Sequence, residues 1–111
     1  MNLDREELYR HYLTYFQLFD QYANPELVHI GNGLPNAMAS SFESCYEFAK
    51  VIGDENAILF NAGAGASSWM FRKIFKNVYC FDPHINYLNE VKRICHIGGL
   101  NTDNFVLELN N

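Results

Sequence analysis

Residues 57–67 read Ala57-Ile58-Leu59-Phe60-Asn61-Ala62-Gly63-Ala64-Gly65-Ala66-Ser67, and the fold turns on how they are read. The first four form a short continuous apolar run, the pattern of a strand buried on both faces. A turn of small residues follows, in which Gly63 and Gly65 permit backbone angles closed to other residues. Trp69, Phe71, Ile74 and Phe75 then mark a helical stretch from about Ser67 to Phe75. A strand that enters a glycine turn and leaves it as a helix aims backbone N–H groups at polar or anionic ligand atoms. Ala64 and Ala66 keep the approach open. Ser67 and Ser68 are placed to cap the helix or to donate a hydroxyl.

Downstream, Val78-Tyr79-Cys80-Phe81 is a second buried strand that ends at Asp82-Pro83. Residues 85–97 read as a helix with Ile85, Leu88, Val91 and Cys95 on one face, stopped by Gly98-Gly99. Phe105 to Leu109 make a third strand. Upstream, residues 3–22 carry Leu8, Tyr12, Tyr15, Phe16, Phe19 and Tyr22 on one helical stripe, with Asp4, Glu6 and Glu7 in the first turn where the helix dipole favours them. A second helix, capped by Ser40 or Ser41 and closed by Gly53, buries Phe42, Cys45, Tyr46, Ala49 and Ile52. Between these two helices, residues 25–40 are irregular, and Asn32, Asn36 and Met38 there are the only candidate wall for a substrate pocket. The expected class is α/β: a Rossmann-like, truncated parallel sheet of about three strands with two N-terminal helices. Residues 1–55 form the helical lead-in and 56–111 the half-domain with the glycine turn, within one structural domain.

Asp82 gives the glycine turn a partner. It ends the second strand, 17 residues after Gly65, and adjacent parallel strands bring their carboxyl ends together where open α/β sheets bind ligands. A carboxylate there accepts hydrogen bonds from both hydroxyls of a ribose, and Pro83 offers a flat apolar surface to an adenine. Dinucleotide sites use GxGxxG with an acid about 20 residues on. The third glycine would here be Ser68, directly before bulky Trp69, which counts against a nicotinamide cofactor.

Bulk composition narrows the classes further. At 111 residues, with 49% hydrophobic and 19% charged, the chain suits one folded domain rather than a disordered segment. A net charge of −5 argues against a grip on nucleic-acid phosphates. The basic cluster Arg72, Lys73 and Lys76 reads as a solvated helix face. Cys45, Cys80 and Cys95 sit in apolar segments as inert core thiols, and with His11, His29, His84 and His96 they show no metal-ligand spacing, so no metal site is expected. The start, Met-Asn-Leu-Asp-Arg-Glu-Glu, is acidic rather than signal-like, and no apolar run approaches the ~20 residues of a membrane span. A cytoplasmic protein is expected.

The stretch Asn61 to Ser67 resembles the first motif of the class I S-adenosylmethionine-dependent methyltransferases, which runs acid-x-Gly-x-Gly-x-Gly and is followed by an acid at the end of the second strand. The resemblance covers about residues 56–111. It implies that the loop Asn61, Ala62, Gly63, Ala64, Gly65, with Ser67 and Ser68, cradles the amino-acid part of S-adenosylmethionine. It also implies that Asp82 holds the ribose, with Pro83 against the adenine and Asn110 or Glu108 near the adenine amino group. Asn61 stands where an acid is usual and Ser67 where a third glycine is usual. Asn61 still offers a carbonyl to an ammonium, without the charge.

Such enzymes continue through four more strands. The fourth carries the residues that line the methyl-transfer site and later elements those for substrate recognition, so no residue here is assigned to catalysis. Without a fourth strand, Ala57 to Phe60 is an apolar unpaired edge, an association site. The N-terminal helices can cover that edge, two chains can pair across it, another polypeptide can complete the sheet, or the chain can be a fragment of a longer product. Of these a homodimer or larger assembly is expected. Two other functions compete with a methyltransferase or its cofactor-binding portion. One is a non-catalytic Rossmann-like binding or assembly module that lost the catalytic half. The other is a fragment of an NAD-binding oxidoreductase.

Overall fold

The computed structural model describes residues 1–24, 30–31, 34–35 and 40–109. Asn32, Asn36, Met38 and Asn110 lie outside the described residues. Helix α1 spans Arg5–Tyr22, and its first turn is capped by the Asp4 carboxylate, which accepts from the Glu7 amide at 3.2 Å. Strands β1 (Ile30–Gly31) and β2 (Leu34–Pro35) make a short antiparallel pair. Helix α2 spans Phe42–Ile52, with the Ser41 hydroxyl accepting from the Ser44 amide at its start and Gly53 in the left-handed region at its end. The alternating half follows: β3 (Ile58–Ala62), α3 (Ala66–Ile74), β4 (Asn77–Asp82), α4 (Ile85–Ile97) and β5 (Phe105–Leu109). This is the α/β architecture with a three-stranded parallel sheet read from the sequence.

The sheet order β3-β4-β5 explains where the helices lie. A βαβ crossover is right-handed almost without exception. Two such crossovers stepping in the same direction put α3 and α4 on the same face. Leu59, Val78, Cys80 and Leu107 point to that face and are buried. The other face carries Ile58 and Phe60 at 62% and 69% exposure, with half-buried Tyr79, Phe81 and Val106. The expectation that these strands are buried on both faces therefore fails among the described residues. Burial on both sides needs the winding direction to reverse, and between β3 and β5 it never does. On the open side the Phe60 ring stacks on Tyr79 at 5.3 Å and on Phe81 at 6.5 Å.

The aromatic stripe of α1 packs as expected over α3 and α4, with Leu8, Tyr15 and Phe19 buried. Trp69 is the meeting point. Its ring stacks on His11 at 4.3 Å and its Nε1 donates to the His11 carbonyl at 2.7 Å, while the His11 Nε2 faces the Trp69 carbonyl at 3.1 Å. A Cβ at Gly98 would meet the Trp69 ring at 2.5 Å, so glycine is required where α4 ends against it. One core cluster thus joins α1 and α2 to the sheet half. The stripe ends differ from the sequence reading, since Tyr22, Ile52 and Ile85 are exposed.

Arg72 corrects the reading of its cluster as a solvated face. Its guanidinium is buried and donates to the Phe75 carbonyl at 2.8 Å and the Asp103 carbonyl at 2.6 Å, tying the end of α3 to the turn before β5. Those carbonyls belong to a helix end and a turn, where unpaired acceptors need a donor. Lys73 and Lys76 are exposed. All three cysteines are buried, and desolvation pushes Cys45 up to about 11 and Cys95 to about 12, so neither is a thiolate near neutrality. No helix among the described residues is long and apolar enough to cross a membrane.

Candidate functional site

Parallel pairing brings the carboxyl ends of β3 and β4 together, with Ala62 opposite Phe81. The chain then leaves β3 through Gly63 at φ +90° and Gly65 at φ +147°, and α3 begins at Ala66. Both angles are costly for residues with a Cβ, so the two glycines are demanded by conformation.

Their surroundings separate them. A Cβ on Gly63 would meet nothing within 4 Å, so the loop there faces open space. A Cβ on Gly65 would lie 2.5 Å from the Tyr87 hydroxyl. Gly63 is therefore where a ligand can approach the backbone. Gly65 is the seat of a tyrosine that reaches over from α4.

The loop amides are held by protein acceptors. Gly63 N–H donates to the Phe81 carbonyl at 2.6 Å, Ala64 N–H to Asp82 Oδ2 at 3.2 Å, and Gly65 N–H to the Ser68 hydroxyl at 3.1 Å. Asn61 Nδ2 donates to the Ser67 hydroxyl at 3.0 Å and lies 3.8 Å from Cys80 Sγ. Ser68 is fully buried beneath the loop.

Asp82 is 4% exposed and works as the clamp of this corner. Its Oδ2 accepts from the loop at Ala64. Its Oδ1 accepts from the His84 amide at 2.9 Å and faces the His84 Nδ1 at 3.1 Å. Asp82-Pro83-His84 is thereby a turn in which an aspartate bonds to the backbone two residues on. Pro83 is exposed beside it. The structure thus brings together the loop, Asp82 and Pro83, all drawn from the sequence as one site. Glu108 is exposed on β5, in register with Phe81.

Sequence reasoning missed Tyr87 and His84. Burial, with the Asp82 charge beside it, pushes the Tyr87 hydroxyl up to about 12, so it stays protonated as a neutral donor or acceptor. Its place on α4 carried a periodic signal, since Tyr87, Val91 and Ile94 recur at i, i+4 and i+7, but the reach of its hydroxyl to the loop depends on where α4 packs. His84 carried a weak signal in Asp-Pro-His, a strand-exit turn with a polar residue where the aspartate can reach back.

A groove of about 270 Å³ lies on the other side of the loop, between α2 and the outer edge of β3, lined by Ser44, Phe48, Leu59, Asn61, Ser67 and Phe71 among others. It falls just below the ~300–1,000 Å³ of small-molecule pockets, enough for part of a ligand. Among the described residues there is no group of three or more His, Cys, Asp or Glu that could hold a metal ion. Comparisons with protein-family models, curated proteins and solved structures give no match, so the site rests on its own geometry.

Proposed function

We propose that this chain binds S-adenosylmethionine through the loop Asn61–Ser68 and the corner Asp82-Pro83, as a methyltransferase or the cofactor-binding portion of one. The observation that carries this reading is the open space above Gly63, at a positive φ, beside a buried aspartate at the end of the neighbouring parallel strand. The adenosine ribose hydroxyls would donate their hydrogen bonds to Asp82 Oδ1. The His84 ring there belongs to a side chain that is 62% exposed, so a ribose hydroxyl can replace it at little cost. The amino-acid end of the cofactor would lie toward the groove at Asn61, whose side-chain nitrogen is turned to Ser67 and whose oxygen can accept from an ammonium. Methyl transfer is a matter of in-line placement of acceptor and sulfonium, and the acceptor site is not assigned.

One observation favours a second reading. Asp82 already ties the loop to the strand-exit turn, which is what a non-catalytic module of this fold needs from it. Calorimetric titration of the full chain separates the two. S-adenosylmethionine and S-adenosylhomocysteine should bind and NAD should not, and an analogue without the ribose hydroxyls should lose ~1–3 kcal/mol. His84→Ala should leave binding intact or tighten it. Equal affinity for the deoxy analogue removes the ribose role of Asp82, and absence of binding by any of the three nucleotides leaves the structural module.

A further inference from the structure

Among the described residues, strand β3 is one of the two outer strands of the sheet, β5 being the other, and its free side differs from that of a protected edge. Natural edges carry charge, proline or a bulge that discourages pairing. Ile58-Leu59-Phe60-Asn61-Ala62 carries none of these. Apolar surface borders it on both faces. On the open face stand Ile58 and Phe60, and on the helix side the groove reaches Phe48, itself exposed on α2. A contiguous apolar surface around backbone that no described strand pairs marks an association site.

We infer that β3 pairs antiparallel with β3 of a second copy of this chain, about a two-fold axis at Phe60, giving one six-stranded sheet. The strand is self-complementary in that register. Phe60 faces Phe60 of the partner subunit, Ile58 faces Ala62 of the partner subunit, and Leu59 faces Asn61 of the partner subunit. No like charges meet, and the interface is isologous, as a two-fold dimer requires. The two Phe60 rings join the stacks they already make with Tyr79 and Phe81 into one aromatic ladder.

Charge also suits a second copy. Antiparallel pairing brings the carboxyl end of each β3, where the Gly63–Ala66 segment begins, toward the amino end of the other, which follows the turn holding Asp54 and Glu55, both exposed. The turn is acidic, and that segment is uncharged and opens α3, whose N-terminal dipole favours negative charge. Each copy would then wall the loop of the other, on the side of the groove at Asn61 and Ser67. This pairing rests on the edge alone and does not depend on the nucleotide proposal.

Light scattering on the full chain, without nucleotide, should give twice the 12.8 kDa chain mass at micromolar concentration. Phe60→Lys should run as a monomer with an unchanged circular dichroism spectrum, because two lysines would face each other at the axis. Val106→Lys, on the same open face but two strands away, should remain a dimer. Under mild oxidation Phe60→Cys should give a covalent dimer, since directly opposed residues have the Cα spacing a disulfide needs. Ile58→Cys should cross-link with Ala62→Cys and not with itself. The native cysteines are buried and stay silent. A monomeric wild type, a dimer that survives Phe60→Lys, or one that is lost with Val106→Lys would overturn the pairing. If Phe60→Lys does not fold, the cysteine pattern decides.

Discussion

The two faces of the central sheet are built from alternate residues of the same strands, yet they follow different rules. Val78, Cys80 and Leu107 meet α3 and α4 and are buried, while Tyr79, Phe81 and Val106, interleaved with them, have no helix above them among the described residues. These residues are apolar on both sides, aliphatic or cysteine on the covered face and mostly aromatic on the open one. What separates the faces is the order of the strands, because two crossovers in one direction supply helices to one side only. Topology decides burial here, and apolarity does not.

That contrast can be broken most directly on β5. Leu107→Ala should cost about 2–4 kcal/mol in chemical denaturation, because its side chain fills the covered face. Val106→Thr, one residue away on the open face, should change stability by less than ~0.5 kcal/mol. Comparable losses at the two positions would mean that the open face is covered in solution.

The glycines sharpen the same contrast at the site. Ala at position 98 must push the Trp69 ring away at the junction of α1, α3 and α4, at a cost of ~1–3 kcal/mol. Gly65→Ala combines strain with a collision at Tyr87, whereas Gly63→Ala carries strain alone. Thermal unfolding should therefore rank Gly65→Ala below Gly63→Ala. Nucleotide titration should show the smaller structural change, Gly63→Ala, to be at least as harmful to binding.

Much of this was legible in the sequence. The spacing of Leu8, Tyr15 and Phe19, the caps at Ser41 and Gly53 and the two apolar runs gave elements whose ends agree with the structure within a residue or two. The loop and Asp82 were legible because local geometry demands small residues and a strand-end acid. The reach of Tyr87 to the loop, the burial of Arg72 and the open face were not, since each depends on which elements meet in space. Arg72 is a case in point. Flanked by Lys73, it reads as surface, and only the carbonyls of Phe75 and Asp103 explain why it is inside.

Acid probes two more contacts of the covered side. The Arg93 guanidinium, together with the Asn24 amide at 2.9 Å, holds the Glu90 carboxyl below its ordinary 4.5, against the effect of burial. The folded state thus prefers the carboxylate, and this stabilisation is present above 4.5 and lost as pH falls through the lower folded value. Glu90→Gln should flatten that part of the stability curve. Its own cost should be about 1–2 kcal/mol, because Arg93 can turn to water.

The smallest effect is expected at His11. Burial against Trp69 lowers its pKa from 6.5, with the hydrogen bond to the Trp69 carbonyl working the other way. The neutral ring is therefore the folded form, and the unfolded chain binds the extra proton first. Stability should fall as pH drops below 6.5 and level off once the folded value is passed, the direction expected when the unfolded state holds more protons. His11→Gln should remove this slope while leaving that of Glu90, which lies at lower pH. A slope that survives His11→Gln would assign it to another histidine and would mean that the stacked ring on Trp69 is open to water. The α1–α3 contact would then be looser than the buried Trp69 implies.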